Sequence, residues 1–217
     1  MKISPADITL AALKNGQFQA DYPKFYALKK VVENSSYHHQ QSVYDHTVSV
    51  LEGLLKVFQL DFAKTAEKRS QLEAYLTAKP VAVSRQTLIF LATVFHDVAK
   101  GAVLIESAPG QFVAPGHELL AVGVARKYLA KVDLTEAEKE WICRLIEAHG
   151  YVHGLIDVKL KRTDQDFFAL YRESVGDLDI GLLFFVYADL LGSDLKKADP
   201  AMYQARIEAV EDMLSWI

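Results

Sequence analysis

The stretch TLIFLATVFHDVAKG, Thr87 to Gly101, is the most telling part of the chain. Its apolar residues recur at helical spacing, with Ile89 and Ala92 seven and four residues before His96. The imidazole therefore lies on a face that reads as internal, and Asp97 follows it directly. Two ionisable groups buried side by side are costly unless something offsets their desolvation. A divalent cation does so for both at once.

The dominant period on both sides of this stretch is also helical. Ser84 caps a helix predicted over Arg85–Val98. Upstream, a short helix runs from Ser4-Pro5 to Asn15-Gly16, and another from Asp21-Tyr22-Pro23 to about Glu33. Ser42, with Asp45 three residues on as a weak capping box, opens a third, and a fourth spans about Thr65 to Ala78. Downstream, residues 101–115 read as loop, with short extended segments at Val103–Ile105 and Gln111–Val113. Helices follow at about Gly116–Lys131, from Thr135 to a glycine C-cap at His149-Gly150, at Thr163–Glu173 and at Asp177–Leu191. Asp199-Pro200 caps a last helix that runs to Trp216-Ile217. The expected fold is one all-α domain over residues 1–217.

A second carboxylate is as misplaced as Asp97. Leu182, Phe185 and Val186 precede Asp189 by seven, four and three residues, so Asp189 shares their face on the most apolar helix of the chain. The alternative to a metal there is a buried pairing with an arginine. His46, near the start of its helix, completes a set of two imidazoles and two carboxylates with His96, Asp97 and Asp189. Such a set suits a divalent first-row metal and leaves positions open for water.

Four further residues are candidates for the same site. His149 follows Ile142, Leu145 and Ile146 at helical spacing and faces inward; His117 begins a helix. Either could ligate a second metal, bind a phosphate or act as general acid, or be an ordinary packed or surface histidine. His153, in a segment read as loop, is a weaker candidate for the same roles. Lys100 could reach a phosphate oxygen, or simply favour a helix C-terminus. Glu118 could orient His117. Asp194 reads as a turn residue held in reserve as a ligand, and His38 and His39 as surface residues.

Composition narrows the function classes. A net charge of −4 gives no signature of duplex nucleic-acid binding, although a small phosphorylated substrate is compatible with it. The single cysteine, Cys143, rules out an internal disulfide and fits a packed helix position in a reducing compartment. No stretch reads as a signal peptide or membrane span, so a cytoplasmic location is expected. Oligomeric state is not legible.

The order His46, then His96-Asp97, then Asp189 resembles the HD-domain superfamily of metal-dependent phosphohydrolases. The likeness rests on SVYDHTVSVLEGL, FLATVFHDVAKG and YADLLGSD. APGHELLAVGVARKYL and IEAHG are further similar to the HD domains of bacterial tRNA nucleotidyltransferases, whose catalytic head is missing here. The region concerned spans about residues 37–194, between N-terminal helices over 4–33 and a C-terminal helix over 200–217. The resemblance implies a helical bundle holding one or two ions of Mn, Ni, Fe, Co, Zn or Mg. His46, His96, Asp97 and Asp189 would be the ligands, and His117 and His149 fall where second-metal ligands occur. The implied reaction is hydrolysis of a phosphomonoester or phosphodiester by metal-activated water, with Asp97, His117 and Lys100 as catalytic residues. The implied substrate is a nucleotide or a similar small phosphate.

Departures from subfamily patterns disfavour three activities. Val98–Gly101 replace the acidic pair of ppGpp hydrolases, Val152 replaces the proline of the Gly-Tyr-Pro cyclic-di-GMP signature, and the dNTP triphosphohydrolase signature is missing. Two other classes stay open: a non-catalytic ligand-binding module and an HD-fold di-iron oxygenase.

Overall fold

The computed structural model describes residues 2–35, 39–160 and 166–216. His38 lies outside them, as do the side chain of His39 and the expected helix start at Thr163. The chain is mostly helical, in agreement with the all-α expectation.

In chain order the helices are α1 (Leu10–Lys14), α2 (Pro23–Ala27), α3 (Val43–Val57), α4 (Ala66–Thr77), α5 (Arg85–Phe95) and α6 (Lys100–Val103). They continue with α7 (His117–Leu129), α8 (Glu136–Lys159), α9 (Asp166–Val175), α10 (Asp179–Gly192), α11 (Leu195–Ala198) and α12 (Pro200–Ser215). Strands β1 (Val32–Asn34), β2 (His39–Ser42), β3 (Ile105–Ala108) and β4 (Gln111–Val113) form a small antiparallel sheet in the order β2-β1-β4-β3.

Side-chain caps fix the helix starts. Ser42 Oγ accepts from the Asp45 amide and donates to its carboxylate, and Ser84 Oγ accepts from the Thr87 amide. At α8 the Thr135–Glu138 capping box is complete in both directions. Glu138 Oε1 also accepts from the Ala82 and Val83 amides, both at 2.8 Å, which ties the entry of α5 to the start of α8.

Helix α10 is buried along nearly its whole length and packs against α3 through glycines. A Cβ on Gly192 would sit 2.5 Å from the Val50 amide nitrogen, and one on Gly53 would sit 3.0 Å from the Ala188 carbonyl oxygen. The two backbones therefore meet at a separation that only missing side chains allow.

Several expected boundaries are corrected. The segment opened by Pro23 leaves the α-helix at Ala27, passes through a 3-10 turn at Leu28–Lys30 and becomes β1, because Val32 and Glu33 pair with Ser42 and Gln41. The N-terminal segment is a 3-10 turn at Pro5–Asp7 followed by α1, capped by Thr9 rather than Ser4. Helix α5 ends at Phe95, so His96 and Asp97 lie in the tight turn that follows. Phe95 is wedged against Tyr22 and Tyr128, with ring centroids at 5.1 and 5.6 Å, which anchors the chain one residue before His96.

The largest correction concerns Gly150, which does not end its helix. α8 runs through Gly150 and Gly154 to Lys159. Gly150 is instead a point of close approach, since a Cβ there would lie 2.2 Å from Glu118 Oε1 of α7. Gly154 has nothing within 4 Å of its virtual Cβ. Gly154→Ala is therefore expected to raise stability by about 1 kcal/mol, the helix-propensity difference, in urea unfolding. A helix ending at Gly150 would give no such gain.

Candidate metal centre

Six segments converge on one cleft. α3 brings His46 in its first turn, the turn after α5 brings His96 and Asp97, and α6 brings Lys100. α7 brings His117, α8 brings His149 and His153, and α10 brings Asp189. The cleft has a volume of about 340 Å³, and all eight sequence-predicted site residues line it. Residues 149, 153 and 157 recur every four positions on α8, so the continuation of that helix puts His153 on the same face as His149.

Asp97 is the centre of the arrangement. It is 1% exposed, and its two oxygens face different partners. Oδ2 lies 3.2 Å from His96 Nε2 and 3.6 Å from His46 Nε2, while Oδ1 lies 3.0 Å from His117 Nε2. His149 completes the second side, with its ring centroid 5.3 Å from that of His96 and 5.4 Å from that of His117. Phe185 closes the back of His96 and His149, 5.3 Å from each. Asp189 stands at the edge, with Oδ1 3.0 Å from His46 Nε2 and Oδ2 2.7 Å from His153 Nε2.

The donor set fits a metal. His46, His96 and Asp97 form one group of convergent ligand atoms, and Asp97, His117 and His149 form another. This buried cluster could hold a metal ion. Three of its histidines are oriented alike: Nδ1–H of His96, His117 and His149 donates to the carbonyl three residues upstream, on Thr93, Ala114 and Ile146. A carbonyl can only accept, so Nδ1 carries the proton and the Nε2 lone pair points into the cluster. His96 Nε2, His117 Nε2 and both Asp97 oxygens are buried without a hydrogen bond. Apart from the ion pair of Asp97 Oδ2 with Lys100, they approach one another without hydrogen bonding, as ligands aimed at a common ion do.

Charges in the cleft are strongly coupled. Burial alone would raise the Asp97 carboxyl, but His96, Lys100 and His117 hold it well below the usual carboxylate range. Burial likewise opposes charge on Asp189, and His153 and His46 outweigh it. Burial and the neighbouring His96 and His117 push His149 down to about 3, so it is neutral and its lone pair is available. His96 and His117 shift upward despite burial, because Asp97 favours their protonated forms.

Lys100 is not a surface lysine at a helix end. It is 5% exposed, with Nζ 2.7 Å from Glu33 Oε2 and 3.1 Å from Asp97 Oδ2, and these carboxylates keep it charged against the cost of burial. Glu118 Oε2 is 3.6 Å from His117 Nδ1, but that nitrogen already donates to Ala114, so Glu118 is not its main orienting partner. Asp194 stands just before α11 and pairs with Lys197 at 2.8 Å. Cys143 is a buried helix residue, as expected.

Sequence reasoning missed three charged residues that line the cleft: Glu33, Asp157 and Arg206. Asp157 was within reach, since it follows His149 and His153 at four-residue spacing once the helix is continued. Glu33 and Arg206 carry no local signal. Among the described residues, five lining carboxylates (Glu33, Asp97, Glu118, Asp157 and Asp189) face two fixed cations (Lys100 and Arg206), a net charge of −3 with the histidines neutral.

The shifts give a signed pH dependence. His96 and His117 lie above their ordinary 6.5 in the fold, so their stabilising contribution is full below that pH and is lost as pH rises through the raised values. His149, shifted downward, has its full contribution already above 6.5. The metal-free protein is therefore expected to lose thermal stability as pH rises above about 6.5. Added Mn²⁺ should offset the loss, because protons compete less for the ligands as pH rises. Parallel melting profiles with EDTA and with Mn²⁺ would count against the ligand set.

Comparison with protein-family models and with curated proteins gives no match. No helix among the described residues is long and apolar enough to cross a membrane.

Proposed function

We propose that the chain is a metal-dependent phosphohydrolase of the HD type, cleaving a phosphomonoester or phosphodiester bond in a nucleotide or similar small phosphate. The observation that carries this reading is the divided Asp97 carboxylate, with His46 and His96 on one oxygen and His117 on the other. His46, His96 and Asp97, with Asp189 beside His46, would hold one ion; Asp97, His117 and His149 would hold a second. Charge supports two ions rather than one. Starting from −3, one divalent ion leaves the lining negative and repels a phosphate, while two make it positive.

Divalent ions held in this way acidify a water molecule and polarise the phosphoryl oxygen. The protein's own groups do the rest. Asp97 fixes the separation of the two halves of the site. Lys100, kept charged by Glu33 and Asp97, donates to a phosphoryl oxygen. His117, with Nδ1–H on Ala114 and Nε2 on Asp97, suits a ligand better than a proton donor. His153 belongs to neither ligand group and is held by Asp189, which supports it as the imidazole that would protonate a leaving group.

The test combines metal analysis with a panel of nucleotide monophosphates and of cyclic and acyclic diesters, each assayed with Mn²⁺, Ni²⁺, Fe²⁺, Co²⁺, Zn²⁺ and Mg²⁺. Turnover that is lost together with the metal in His96→Ala supports the proposal. No turnover with any pairing would favour a ligand-binding module. The shared carboxylate also suits a di-iron oxygenase, which two bound irons and oxygen consumption would identify.

A further inference from the structure

Arg206 is the one charged residue of the cleft wall contributed by α12, a helix outside the region that carries the HD resemblance. It is 2% exposed and paired with Asp157 of α8, whose side chain is 50% exposed. The guanidinium is thus the inner member of the pair and the carboxylate the outer one. Of the two fixed cations that line the cleft among the described residues, Lys100 is engaged by Glu33 and Asp97 beside the metal ligands, whereas Arg206 pairs with Asp157. The position of that pair is read from α8. Asp157 is four residues beyond His153 and eight beyond His149, about 6 to 12 Å along the helix axis.

A tie between helices does not by itself require a guanidinium here. α12 is already tied to α8 at its exposed side by Lys159 and Asp212, 3.0 Å apart. A buried ion pair is often no more stabilising than apolar side chains of the same volume. What a planar guanidinium does better than any other side chain is grip a carboxylate or phosphate through two parallel N–H bonds.

We infer that Arg206 is a specificity-determining residue that binds a second anionic group of the substrate, one to two helical turns along α8 from the metal cluster. The inference rests on the phosphohydrolase reading. It narrows the substrate to a small molecule with two anionic groups, one held at the metal cluster and one exchanging with Asp157 for Arg206. A phosphate ester with a single charged group would fill only half of the cleft's recognition elements.

Matched probes test this. Calorimetric titration of the Mn²⁺-loaded protein would compare phenyl phosphate, 4-carboxyphenyl phosphate and benzoate. The wild type is expected to bind the carboxylated ester at least about tenfold more tightly than phenyl phosphate, the difference one well-placed charged contact makes. Arg206→Gln should bring the two esters level, and Arg206→Lys should keep part of the preference. Asp157→Asn, which breaks the ion pair but leaves the guanidinium, should keep all of it. Melting curves show whether each variant is folded, and the lysine and asparagine variants decide the matter if Arg206→Gln is not.

Equal affinity of the wild type for both esters would overturn the role of Arg206 while leaving the hydrolase reading intact. So would a preference abolished as fully by Asp157→Asn as by Arg206→Gln, since the pair would then be only a tie between helices. Benzoate binding that depends on Arg206, with no binding of phenyl phosphate, would keep Arg206 as an anion site and sink the hydrolase reading. Binding of no probe overturns both.

Discussion

Asp97→Asn is expected to strip both ions from the protein and to lower turnover by on the order of a thousandfold or more, about 4 kcal/mol of barrier. The amide keeps the shape of the side chain but presents one neutral oxygen and one N–H₂ group where His46, His96 and His117 now face two anionic oxygens. Because both ligand groups contain Asp97, loss of its carboxylate weakens both at once. His117→Ala makes the contrast, since it touches one group and should lower the metal content by half. Metal counting by mass spectrometry on dialysed protein checks the pair. An Asp97→Asn protein that retains one ion at wild-type affinity would show that the carboxylate is not shared.

The second large effect is expected at a residue that is itself no ligand. Gly192→Ala places a methyl group 2.5 Å from the Val50 amide nitrogen and 2.7 Å from its Cα, both backbone atoms that cannot rotate away. Helices α3 and α10 must separate, and overpacking of this kind costs about 3 kcal/mol. For a chain of this size that lowers the melting temperature by roughly 6–12 °C. The same separation draws His46 on α3 away from Asp189 on α10, now 3.0 Å apart, so metal affinity should fall with stability. An unchanged melting temperature would mean that the helices do not cross at this closeness.

The site was more legible than the path of the chain around it. His96, Asp97, His149 and Asp189 stood out because each sat on an apolar face with no local partner, an anomaly of burial that helical periodicity alone reveals. All of them line one cleft. Gly150 misled because a glycine after an inward-facing histidine is also how many helices end. Its actual reason is the side chain of Glu118 on another helix, which no local pattern contains. The sheet was only half visible for a similar reason. The extended segment of β4 was anticipated. That of β3 was expected at Val103–Ile105 but begins only at Ile105, after Val103 ends α6. Strand β1 joins β4 by pairing Asn34 with Phe112, across the whole of α3 to α6. Arg206 reaches the cleft only through the docking of α12, and its sequence neighbourhood is that of any amphipathic helix.

The turn holding His96 and Asp97 lies between two pairs of helices. On one side α3 and α10 carry His46 and Asp189; on the other α7 and α8 carry His117 and His149. A cation bound at Asp97 works as a rivet through that seam, fastening segments whose sequence positions span most of the chain. Such a fastener acts on the folded state alone, so at a free concentration one hundred times its dissociation constant it adds about 2.7 kcal/mol to stability. Supply of the metal would then govern how long the chain survives unfolding and proteolysis, quite apart from any reaction it performs.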